Sequence, residues 1–129
     1  MARLLLFSAA CVVVLTLAAC RKPGPADAEF TFSCSVAPQP ARVGLTTVTV
    51  RLISQKAQPL TGARLRIEGD MSHPGMEPVF ANARETAPGN YVARFRLTMP
   101  GDWVILVQGN LADGQKIDRQ VDLKGVLPG

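Results

Sequence analysis

The sequence predicts an all-β fold, a seven-stranded antiparallel β-sandwich of immunoglobulin-like type, on three observations. Apolar and polar residues alternate with period two through most of the chain after residue 28. Turn-forming Pro, Gly, Asn and Asp recur at short intervals between these runs, and no stretch carries the 3.6-residue period of a long amphipathic helix.

The first expected strand, 29–36, sets Phe30, Phe32, Cys34 and Val36 on one face. After Pro38, Pro40 and Gly44 comes 46–54, with Val48, Val50 and Leu52 inward. Pro59 to Gly62 then leads into 63–68, where Ala63, Leu65 and Ile67 alternate with Arg64, Arg66 and Glu68. A weaker strand is expected over 78–85. Pro88-Gly89 precedes 90–98, in which Tyr91, Ala93, Phe95 and Leu97 oppose Val92, Arg94 and Arg96. Pro100-Gly101 precedes 102–110, whose run Trp103 to Val107 is apolar on both faces and therefore belongs inside a sheet or under a covered face. Asp113-Gly114 leads to the last strand, 115–123.

The N-terminus has another character. Arg3 precedes an apolar run that ends at Leu17-Ala18-Ala19-Cys20, and this resembles the signal peptide and lipobox of bacterial lipoproteins. Residues 1–19 are expected to be removed and Cys20 acylated. Residues 20–28, punctuated by Pro23, Gly24 and Pro25, would then form a lipidated tether, and 29–129 the single folded domain. The expected address is the cell envelope: bound to a bacterial membrane through the lipid and facing the periplasm or the cell exterior. With Cys11 lost and Cys20 acylated, Cys34 has no intramolecular partner, and its alternation with Phe30, Phe32 and Val36 turns it toward the core. Loss of Arg3 leaves one basic residue fewer than the chain's 14, against 10 acidic. So small a surplus, with arginines on alternating strand positions and no stacking aromatics between them, argues against nucleic acid.

If the seven strands alternate in direction, the connections 37–45, 69–78 and 99–101 share the end of the sandwich farthest from the tether. That end would hold every methionine of the mature chain, Met71, Met76 and Met99, and the sole histidine, His73. Pro74-Gly75 suits the centre of a type II turn that folds Met71 and Met76 toward each other. The Met99-Pro100-Gly101 turn fits a tight hairpin poorly and is expected to pass between the two sheets. Thioethers are soft and imidazole is borderline, a set that selects Cu(I) over Zn, Mg or Ca. Methionine also remains a ligand outside the cytoplasm, where free thiols oxidise. Met71, His73, Met76 and Met99 are therefore the candidate metal ligands, against the plainer reading of methionines as gap fillers and His73 as a polar loop residue. Asp70, Glu77 and Asp102 flank these loops and read as solvated turn residues.

Gly62-Ala63-x-Leu65, Met71-x-His73-Pro74-Gly75-Met76, Gly89-Asn90-Tyr91 and Leu97-x-Met99-x-Gly101-x-Trp103, taken in this order, resemble the YtkA-like domain family, related to FixH-like proteins. The resemblance covers about residues 30 to 124. It implies an immunoglobulin-like β domain of extracytoplasmic proteins, often associated with copper handling and respiratory oxidase assembly. One departure is plain: FixH-like proteins begin with a transmembrane helix, whereas a lipobox stands here. No second His or Cys completes a closed zinc site, and no phosphate-cradling glycine loop or serine elbow is present. The chain is accordingly expected to be a non-enzymatic, copper-binding or copper-handling accessory protein. Its expected partners are the membrane and copper-transport or oxidase-assembly proteins; the alternative is a metal-free scaffold domain that contacts a membrane protein.

Overall fold

The computed structural model describes residues 30–129. The signal-peptide, Cys20 and tether readings fall outside the described residues.

The fold is all-β. Its strands are β1 (Phe30–Ala37), β2 (Gly44–Ser54), β3 (Arg64–Met71), β4 (Val79–Asn82), β5 (Arg84–Ala87), β6 (Asn90–Leu97), β7 (Gly101–Asn110) and β8 (Lys116–Val126). They form two four-stranded antiparallel sheets, ordered β1-β2-β6-β5 and β4-β3-β7-β8. Period-two burial puts Val48, Val50, Leu52, Tyr91, Phe95 and Leu97 on the inner face of the first sheet. Leu65, Ile67, Trp103, Ile105 and Val107 face them from the second. One core joins the two sheets, and every buried member of it lies between Phe30 and Val126. β7 runs between β3 and β8 with Val104 and Leu106 half-covered, as its doubly apolar sequence requires.

The expected seven strands are eight. The candidate at 78–85 divides at Ala83: β4 pairs with β3 in one sheet and β5 pairs with β6 in the other. The Ala83 N–H still donates to the Leu65 carbonyl at 2.9 Å, and the chain then crosses. Such a corner lets one pass of chain close an edge of both sheets. Because β4 and β5 continue in one direction, the alternation assumed for seven passes survives the correction.

The end where β1 begins is closed by polar ties. The Tyr91 hydroxyl donates to the Leu60 carbonyl at 2.7 Å and accepts from the Ala63 N–H at 3.0 Å. The Glu85 carboxylate accepts the N–H groups of Gly62 and Gly89, both at 3.1 Å. These bonds hold the β2–β3 connection against the β5–β6 turn. The opposite end is thereby left to the three connections after β1, β3 and β6.

Candidate metal centre

The predicted end-sharing is observed. Gly44 at the head of β2 pairs with Leu97 at the tail of β6, and Met71 at the tail of β3 pairs with Trp103 near the head of β7. Since β6 and β7 belong to different sheets, the Met99-Pro100-Gly101 turn does pass between them.

Met71, the last residue of β3, is half-buried and packs on the core. Its Cε stands 3.5 Å from the place a Cβ would take at Gly101, so this thioether lies along the Met99–Gly101 turn. The turn itself is fixed from below. The indole N–H of Trp103, a side chain only 1% exposed, donates to the Met99 carbonyl at 2.9 Å. The Met99 side chain is left 42% exposed on a backbone held in place. His73 is exposed in the loop after β3, and Met76 is half-buried in the same loop. Gly75 has φ +84°, the left-handed value that position i+2 of a type II turn demands. Met76 is placed only by the loop it shares.

Sequence reasoning missed the part played by Asp102. Its backbone carbonyl accepts from the N–H and Oγ of Ser72, at 3.3 and 3.4 Å, which draws the His73 loop onto β7. Its carboxylate accepts the Gly125 N–H at 2.9 Å and lies 3.6 Å from the Lys124 ammonium. The carboxyl is held below its ordinary pKa chiefly by the Gly125 hydrogen bond; slight desolvation opposes, and the charges of Lys124 and His73 assist. Asp102 is thus a tie rather than a free turn residue. The end of β8 also arrives here, since Val126 pairs with Gly101 and Leu127 bridges to Arg42. No local sequence signal announces either contact.

Among the described residues no three His, Cys, Asp or Glu side chains stand together as a hard or zinc-type site would need. Beside the carboxylates of Asp70, Glu77 and Asp102, this end offers three thioethers and one imidazole, and these softer donors suit Cu(I). Cys34 stands elsewhere, on edge strand β1 opposite Val50, partly buried against the core. Burial pushes its thiol up to about 11. At neutral pH so little thiolate exists that the native domain should react slowly with thiol reagents and label once, promptly, after denaturation. Fast labelling of folded protein would show that β1 faces the other way.

The family model described as YtkA-like matches residues 25–108. No curated protein matches. Among solved structures, the chain is similar to the PmoD soluble domain from Methylocystis sp. ATCC 49242 (Rockwell), at 12% identity and a TM-score of 0.48, over 76% of this chain and 90% of that one.

Proposed function

The chain belongs to the YtkA-like family, and from that premise we propose that it is an exported, lipid-anchored accessory protein that binds Cu(I) through Met71, His73, Met76 and Met99 and passes it to a partner. The carrying observation is the meeting of β3 and the β6–β7 turn, which sets Met71 along the Met99–Gly101 segment beside the loop of His73 and Met76. Cys20 is read as the acylated residue, the compartment as the periplasm or cell exterior, and the role as non-catalytic. The sandwich itself is assigned to the immunoglobulin-like class. Support comes from the two packed four-stranded antiparallel sheets, with the chain passing from one to the other at Ala83 and again at the β6–β7 turn.

Transfer needs an open site and a docking surface. Met99 is exposed, and two other large exposed apolar side chains, Leu45 and Leu127, stand at the same end. Leu45 pairs with Arg96 near the tail of β6, and Leu127 follows the end of β8. This rim fits a partner of apolar surface, and membrane-bound copper-transport or oxidase-assembly proteins are the class implied by the family resemblance. The same rim is what favours the second reading, a metal-free docking domain.

The two readings separate on metal binding. Residues 21–129, which contain the whole described core, should bind about one Cu(I) per chain against a chromophoric chelator and bind Zn(II) far more weakly. His73→Ala should weaken Cu(I) binding without unfolding the domain, because an exposed loop side chain adds little to the core. Cys34→Ser should leave it unchanged. Copper no higher than the chelator background would favour the metal-free reading.

A further inference from the structure

Sorting charged side chains by strand register separates two surfaces that the linear sequence mixes. On the outer face of the β1-β2-β6-β5 sheet stand Arg51, Arg84, Arg94 and Arg96, all exposed. Arg96 pairs with Leu45, Arg94 with Thr47, and Arg84 with Val92, while Arg51 lies between Ser33 and Asn90. No Asp or Glu occupies an outward position on any of these four strands. The other sheet differs. Its outer face sets Arg64 and Arg66 beside Glu68 and Asp70 on β3, and on β8 flanks Asp118 and Asp122 with Lys116 and Lys124. Among the described residues none of the four arginines of the first sheet has a carboxylate partner; the one ion pair is Lys124 with Asp102.

We propose that the outer face of the β1-β2-β6-β5 sheet docks on the anionic phospholipid headgroups of the membrane to which the chain is tethered. The arginines do not converge on a pocket. They spread over three adjacent strands, about 10 Å across and about 20 Å along them, a flat array suited to many mobile phosphates rather than to one ligand. All four are arginines, whose planar guanidinium grips phosphate oxygens in pairs. Between them stand Thr47, Thr49, Thr86 and Asn90, with Val92 as the one apolar side chain, small enough for the face to lie close to a hydrated surface.

Connectivity selects the occupant. β1 is an edge of this sheet, and Phe30 is its first residue. Ten residues of chain from Cys20 span at most about 35 Å, so a lipid at Cys20 keeps this face within reach of the bilayer. That reach rests on the reading of Cys20 as the anchor. A basic surface beside an acyl anchor supplies the second signal that firm peripheral attachment uses. Docked in this way, the sandwich would lie with its strands along the membrane, and Met71, His73 and Met99 would point sideways toward the flanks of neighbouring membrane proteins rather than out into the solvent.

The test is copper-free, so its outcome is independent of the metal reading. Residues 21–129, without lipid, are mixed with phosphatidylcholine vesicles with and without phosphatidylglycerol, and bound protein is measured by flotation. Binding should require phosphatidylglycerol and fall at high salt, where exposed charges are screened. At about fivefold per arginine, the triple variant R51Q/R94Q/R96Q should bind about a hundredfold more weakly. R64Q/R66Q/K116Q, which removes the same charge from the other sheet, should stay within about threefold of the parent. Thermal unfolding of both variants verifies that they remain folded. No binding to phosphatidylglycerol vesicles, or equal losses in the two variants, would overturn the proposal. Retention on immobilised polyglutamate without vesicle binding would also overturn it, and would point to an acidic protein instead.

Discussion

Replacement of Gly109 by alanine is expected to destabilise the domain by about 3 kcal/mol or more, and in a protein of ordinary stability this approaches unfolding. Gly109 pairs with Leu65 where β7 runs against β3. A Cβ at this position would collide with the Arg64 carbonyl oxygen and stand 3.1 Å from the Leu65 Cα. The obstruction is backbone, so no rotamer change relieves it and the two central strands of the sheet must part. Gly114→Ala provides the contrast. A Cβ there meets nothing within 4 Å, and the cost reduces to the strain of φ +90°, about 1 kcal/mol. Urea denaturation of the two variants should show a much larger fall in midpoint for Gly109→Ala. Equal midpoints would mean that the Leu65–Gly109 register is wrong.

Trp103→Ala is expected to cost about 3–5 kcal/mol. Trp103 is the largest fully buried side chain, and its removal opens a cavity at the end of the core directly beneath the candidate metal centre. It also removes the indole N–H that holds the Met99 carbonyl. Trp103→Phe separates the two effects. Phenylalanine retains most of the apolar volume and loses the donor, so the domain should stay folded while the Met99 turn loosens. Thermal unfolding reads the first effect. Cu(I) affinity reads the second, and a folded Trp103→Phe protein should bind copper more weakly than the parent. Unchanged affinity would show that the indole–Met99 bond has no part in presenting the thioether.

The period-two pattern made the sheets legible because nearly every inward position is apolar and most of its neighbours are polar, as in Ala93-Arg94-Phe95-Arg96-Leu97. The crossing at Ala83 was not legible. Asn82-Ala83-Arg84 contains no Pro or Gly, and the switch is imposed by pairing, β4 following β3 and β5 following β6. The gathering of Met71, His73, Met76 and Met99 at one end could be derived by counting directions, since the β4–β5 division leaves the parity of the passes intact. Finer features of that end could not. The bond from Gly125 to Asp102, the arrival of Val126 beside Gly101 and the clasp of Trp103 on Met99 depend on register between distant strands and on rotamers. The arginines were legible as exposed residues but not as a face, because Arg51, Arg84, Arg94 and Arg96 come together only once β2, β5 and β6 are placed side by side.

The most direct test of the metal assignment is the Cu(I) affinity of Met99→Leu relative to the parent, measured by competition with a chromophoric chelator on residues 21–129. Leucine keeps the apolar volume and removes the sulfur. Packing alone therefore predicts a stability cost below about 1.5 kcal/mol and no change in affinity. A ligand role predicts a loss of tenfold or more, about 1.4 kcal/mol of binding free energy, with the fold intact. If Met99→Leu binds Cu(I) as tightly as the parent, the four-residue site is contradicted.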